Sequence, residues 1–202
     1  MTIVPYRPGA LQVPQGKVKP EPMTQADYEA IRNELASWSW PGAYPHLVFL
    51  KLLRASGLRI AEALRLTSDQ MFREGPQVLL WILRGKKRDK AGWERLPISP
   101  VFGSELLAFI EGTGVPKGSK VFPWATPLAF QRVFGEASET ALGRRVTPHQ
   151  LRHLYIKWGL ENGNSLEQMA NMVGHADPRT TLKVYHDLTT EQRHEINLRV
   201  PV

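Results

Sequence analysis

A chain of 202 residues is long enough for one domain with a proper core, and its 42% hydrophobic and 22% charged residues are the proportions of an ordinary globular protein. No apolar run reaches the roughly 20 residues of a membrane span, residues 1–16 lack the layout of a secretory signal, and the absence of cysteine excludes disulfides and thiolate metal sites. Lys and Arg number 26 against 19 Asp and Glu, a net charge of +7 that favours a polyanionic partner, nucleic acid first, in a chain expected to work in the cytoplasm.

Residues 1–22 hold five prolines and show no helical period, so they read as an extended arm or linker. Thr24 is placed to cap a helix whose Tyr28, Ile31 and Leu35 share one apolar face. A second helix is predicted over 45–56, burying Leu47, Leu50 and Leu53 and closing at Gly57, with a third over 59–66. The apolar runs 78–83 and 93–98 flank a Gly- and Lys-rich stretch and predict a β-hairpin with a basic loop over 84–91. Helices follow over 104–110 and 127–141. Thr147-Pro148 opens another that runs to Glu161, and Ser165 with Gln168 forms a capping box for one ending near Gly174. Asp177-Pro178 starts the last helix, which carries Tyr185. The layout is mainly α with a small antiparallel β-sheet (α+β).

Transferring a phosphodiester without a metal needs cations on the non-bridging oxygens, an in-line nucleophile and an acid for the leaving oxygen. His149, Arg152 and His153 stand at i, i+3 and i+4 on one face near a helix N-terminus, whose N–H groups and dipole also favour an anion. His175 follows Gly174 outside a helix, and Tyr185 lies ten residues further on. Each residue alone also has a plainer reading. Arg59 beside Glu62 is compatible with a solvated helix-end arginine, and Lys86 shares its stretch with Lys87, Arg88 and Lys90. Tyr185 alone fits a half-buried helix aromatic. The His149/His153 pair has zinc spacing, but no HExxH glutamate accompanies it and Arg152 between the two repels a cation, so neither metal nor cofactor is expected.

The stretches ASGLRIAEALRL, RGKKRDKAGWERLPI, TPHQLRHLYI and MVGHADPRTTLKVYHDL, in this order over residues 23–188, resemble the signature boxes of the tyrosine recombinases, the family of phage integrases and Xer resolvases. The resemblance implies the tyrosine recombinase catalytic-domain fold over 23–202. It also implies site-specific DNA recombination through a 3′-phosphotyrosyl intermediate, without metal or ATP. Arg59 and Arg152 would clamp the scissile phosphate, a task suited to the planar guanidinium. Lys86 would protonate the 5′ oxygen, His149 would serve as the base-side histidine, His175 would bond the phosphate or orient the pocket, and Tyr185 would attack phosphorus.

The implied partner is double-stranded DNA with inverted-repeat sites, bound by a chain that is monomeric in solution and tetrameric on DNA. Leu154 stands where the family usually has a small hydroxyl residue, a difference expected to alter packing only. Only residues 1–22 precede the catalytic domain, where the family usually has a helical DNA-clasping domain, so weaker and less selective binding is expected. Two other readings share these residues: a type IB topoisomerase-like enzyme that relaxes DNA, and a DNA-binding module whose catalysis has lapsed.

Overall fold

Met23 is buried, and Thr24 directly after it closes a capping box with Asp27, each side chain bonding the other's backbone N–H. This start belongs to a computed structural model that describes residues 21–40, 42–84, 92–122, 124 and 126–175. Helix α1, Gln25–Ser37, buries the expected Tyr28, Ile31 and Leu35. Helix α2, Ala43–Ser56, begins earlier than the sequence pattern indicates, because Pro45 falls in the first turn, where a missing N–H leaves no bond unmade. It buries Val48, Phe49, Leu50, Leu52 and Leu53, whereas Leu47 is only partly covered. Such all-round burial fits its place between α1, α6 and the sheet.

Helix α3, Ile60–Ala63, is one turn rather than the 59–66 helix expected. Tertiary pairing ends it: Leu66 accepts a bond from Val121 N–H, and Thr67 bridges Lys120. The expected hairpin is present as β2, Gln77–Arg84, and β3, Gly92–Ile98. A further strand, β1, Met71–Glu74, is too short to show a period in sequence, and it completes an antiparallel sheet of order β1-β2-β3. Arg84, expected in the basic loop, instead pairs with Gly92 as the last residue of β2 and is buried. It shares the inward face of that strand with Leu80 and Ile82.

Ser99 and Pro100 open α4, Pro100–Thr113, which lies directly on the sheet: a Cβ added at Gly103 would sit 2.5 Å from Val78 Cβ. Helix α5, Pro127–Leu142, packs on α1, an arrangement reinforced by the Arg144–Asp27 ion pair at 2.8 Å. Helix α6, His149–Glu161, starts with Thr147 giving its carbonyl, not its hydroxyl, to Gln150 N–H. Helix α7, Leu166–Val173, has the expected Ser165–Gln168 capping box and ends at Gly174 in the left-handed conformation, φ 64°. Leu154 is buried in the main core, and no described helix is long and apolar enough to cross a membrane. Residues 1–20 of the expected 1–22 arm, Lys86 in 85–91, and the segment 176–202 with Tyr185 lie outside the described residues.

Candidate active site

Arg152 is the centre around which the site is built. It faces inward from the first turn of α6 and is 2% exposed, an unusual position for a guanidinium. Its Nη1 donates to Gly57 O at 2.7 Å and its Nη2 to Val173 O at 2.5 Å. Both acceptors sit at helix C-termini, of α2 and α7, where orphan carbonyls and the negative dipole end favour a cation. The approach at Gly57 depends on the absence of a side chain. Its φ is 62°, and an added Cβ would lie 2.4 Å from the Tyr155 ring on α6.

Arg59 reaches the same place from the start of α3. Glu62, three residues on, holds Arg59 Nη1 at 2.7 Å with one oxygen and accepts from Arg59 backbone N–H at 2.8 Å with the other. That second oxygen also lies 3.9 Å from Arg152 Nη1. Arg59 is thus beside Glu62, as its plainer reading had it, and it also faces the pocket. Glu62 is the carboxylate that orients Arg59 and faces Arg152 with its charge, a role the sequence reading did not assign. Its signal was the capping position at the third residue of α3.

The second unassigned residue is Arg84. It donates through Nη2 to Met172 O, the carbonyl next to the one Arg152 holds, and its Nε lies 2.8 Å from Glu94 Oε2. Alternation along β2 would have pointed it inward. The basic run that follows it in sequence obscured that parity.

Charge accumulates here with little to balance it. Burial, then Arg59 and Arg84, push the Arg152 pKa down to about 9, with Glu62 opposing. Arg152 Nε and Arg84 Nη1 are buried without a hydrogen bond among the described residues. His175, just past Gly174, is held down at about 4 by burial, then by Arg152, Arg59, His153 and His149, so it is neutral near pH 7. His149, at the exposed rim, is also lowered, by partial burial first and then by His153, Arg152 and Arg59. Its ring lies 4.6 Å from that of His153, at 77°. Among the described residues no group of His, Asp or Glu is placed to hold a metal ion.

The structure therefore brings Arg59, His149, Arg152 and His175 together from three separated stretches of chain. Lys86 and Tyr185 fall outside the described residues. The pocket presents guanidinium donors and two neutral imidazoles, a set suited to an oxyanion such as a phosphodiester.

A family model described as Phage integrase family matches residues 21–192. The chain is 31% identical over 201 residues to Tyrosine recombinase XerC of Mesorhizobium japonicum, covering 93% of this chain and 62% of that protein. It is 29% identical over 168 residues to Tyrosine recombinase XerD of Caulobacter vibrioides, covering 76% and 53%. The fold matches a crystal structure of XerH site-specific recombinase bound to palindromic difH substrate, a post-cleavage complex, with TM-score 0.72, 19% identity, and coverage of 90% and 53%. The chain thus spans between 53% and 62% of the length of these two curated relatives.

Proposed function

The chain belongs to the phage integrase family, and on that premise we propose that it carries the catalytic site of a site-specific DNA recombinase. The observation that carries the reading is the buried Arg152, anchored on two helix ends and crowded by Arg59 and Arg84, with Glu62 as its nearby counter-charge. Such a pocket is short of one anion, and a phosphodiester supplies it. Arg59 and Arg152 bind the non-bridging oxygens. Tyr185 attacks phosphorus, the bond to the 5′ oxygen breaks, and Lys86 gives that oxygen a proton. The result is a 3′-phosphotyrosyl ester and a free 5′ hydroxyl. Because the ester keeps the bond energy, the hydroxyl can reverse the step without ATP. A phenol with an ordinary pKa of about 10 needs the cationic pocket and a proton acceptor, the part proposed for His149. His175, neutral at pH 7, donates a hydrogen bond to the phosphate without adding charge.

The substrate is double-stranded DNA with inverted-repeat sites, acted on in the cytoplasm. The protein is a monomer when free and a tetramer on DNA, bridged by the tail from Thr189 onward. Both curated relatives carry the name tyrosine recombinase, which favours strand exchange over topoisomerase-like relaxation. A nicked suicide duplex tests the reading. Wild type should form an SDS-resistant protein–DNA adduct, and Tyr185→Phe should form none while binding DNA within a few-fold of wild type. An adduct that persists in Tyr185→Phe would remove the nucleophile assignment.

A further inference from the structure

We propose that Arg84 is a positioning residue for cleavage: it pins the end of β2 to the end of α7 and so fixes the point from which the chain runs on to Lys86. This rests on the reading above, in which Lys86 protonates the leaving oxygen.

Three observations lead there. The first is placement. Among the described residues the β2–β3 ladder ends with Arg84 opposite Gly92, so Arg84 is the last described residue of β2, two positions before Lys86. The second is a shared anchor. Arg84 bonds Met172 O and Arg152 bonds Val173 O, consecutive carbonyls at one helix end. The strand leading to the acid and the helix carrying the phosphate clamp are thereby referred to the same two peptide groups. Gly174 makes the contact possible, since a Cβ there would sit 2.6 Å from Arg84 Cδ and 2.8 Å from its Nη1.

The third is an electrostatic conflict. Arg84 is 7% exposed and its charge opposes that of Arg152, while its partner Glu94 is half exposed and therefore screened. An apolar side chain would plug this gap without adding repulsion to the phosphate pocket. A guanidinium at this point instead ties hairpin to pocket and adds to the field that an incoming phosphate relieves.

The test compares two nicked duplexes, one ordinary and one with sulfur in place of the 5′ bridging oxygen. A thiolate leaves without protonation, so a defect in acid catalysis is relieved by sulfur. Single-turnover cleavage is measured for wild type, Arg84→Met and Lys86→Ala, with DNA affinity from titration. Arg84→Met should cleave the ordinary duplex about 100-fold more slowly, the size of effect that misplacing a catalytic group by an ångström produces. On the sulfur duplex it should come within about threefold of wild type, in parallel with Lys86→Ala, and its DNA affinity, lowered modestly by loss of that field, should be the same for both duplexes.

Equal slowing of Arg84→Met on both duplexes, with Lys86→Ala relieved by sulfur, would overturn the proposal and leave the acid assignment standing. Undiminished cleavage by Arg84→Met would also overturn it. Lys86→Ala equally slow on both duplexes would overturn the acid assignment and this inference with it. If Arg84→Met does not fold, Arg84→Gln, which keeps a shorter polar donor, is read by the same ratio of rates.

Discussion

Substituting Arg152 separates what it does for the fold from what it does for a phosphate. In Arg152→Met the carbonyls of Gly57 and Val173 lose their charged donor. Each buried polar group left unmet costs about 1–3 kcal/mol, or about 2–6 kcal/mol for the pair. Removing a guanidinium crowded by Arg59 and Arg84 acts the other way, and replacing buried ions by apolar groups is often neutral or stabilising by about 1–4 kcal/mol. The two effects largely cancel, and the Met variant should unfold within about 2 kcal/mol of wild type. Arg152→Lys keeps the buried charge on a point-like ammonium that cannot span two helix ends, and a loss of about 3–5 kcal/mol is expected. The chemically conservative change is thus the more damaging one. Urea unfolding read by circular dichroism should rank the midpoints wild type, Met, Lys. Saturating duplex DNA, which at 100 times Kd adds about 2.7 kcal/mol to a binding-competent protein, should raise the wild-type midpoint more than the Met midpoint. A Lys variant as stable as the Met variant would refute the claim that anchoring on two carbonyls decides the outcome.

Acid should unfold the protein through its histidines. The unfolded chain takes up protons near pH 6.5 while folded His175 resists until about 4, so melting temperature should fall as pH drops through that window, and less steeply in His175→Gln. His149 and buried His46, both lowered, account for the slope that remains. Gly57→Ala forces a left-handed alanine against the Tyr155 ring, and a loss of about 2–5 kcal/mol by chemical denaturation is expected. Adduct formation on the suicide duplex should persist in excess EDTA, because Arg59 and Arg152 carry the charge-stabilising role; loss on chelation with recovery on added magnesium would contradict it.

The parts of the fold legible in sequence are those governed by local chemistry. The cap at Thr24, the box at Ser165, Pro127 in a first helical turn, and Gly57 and Gly174 at helix ends all sit in or within a few residues of the helices they bound. What escaped depends on distant chain. Strand β1 exists because Met71–Glu74 finds β2, and α3 stops because Leu66 and Thr67 meet the 120–121 segment. In the site, the residue types of Arg59, His149, Arg152 and His175 were legible and their convergence is observed. Their anchors were not: Gly57 O and Val173 O are backbone groups far along the chain from Arg152, and every residue carries such a carbonyl. Arg84 was misplaced for a further reason. A run of basic residues reads as a solvated loop, and the single inward position at its start is visible only once the strand parity is trusted over the composition.

The anchoring on carbonyls explains how a pocket can hold several cations ready without a metal. A guanidinium has five donors in a rigid plane, and Arg152 commits one from each terminal nitrogen to the backbone, which fixes the plane and leaves Nε without a bond among the described residues. A fork held this way need not reorganise when a phosphate arrives or when charge builds up on its oxygens, and that readiness is what makes fixed donors effective in catalysis. The dipole ends of α2 and α7 supply part of the countercharge that keeps such a group buried. Glu62 supplies another part, from a position on the Arg59 side where it bonds Arg59 and lies 3.9 Å from Arg152. The remaining repulsion among Arg59, Arg84 and Arg152 is the portion an anion relieves. Substitutions that ease this crowding without breaking the carbonyl bonds should therefore stabilise the free protein while weakening its response to DNA, a divergence that uniform loosening of the fold would not produce.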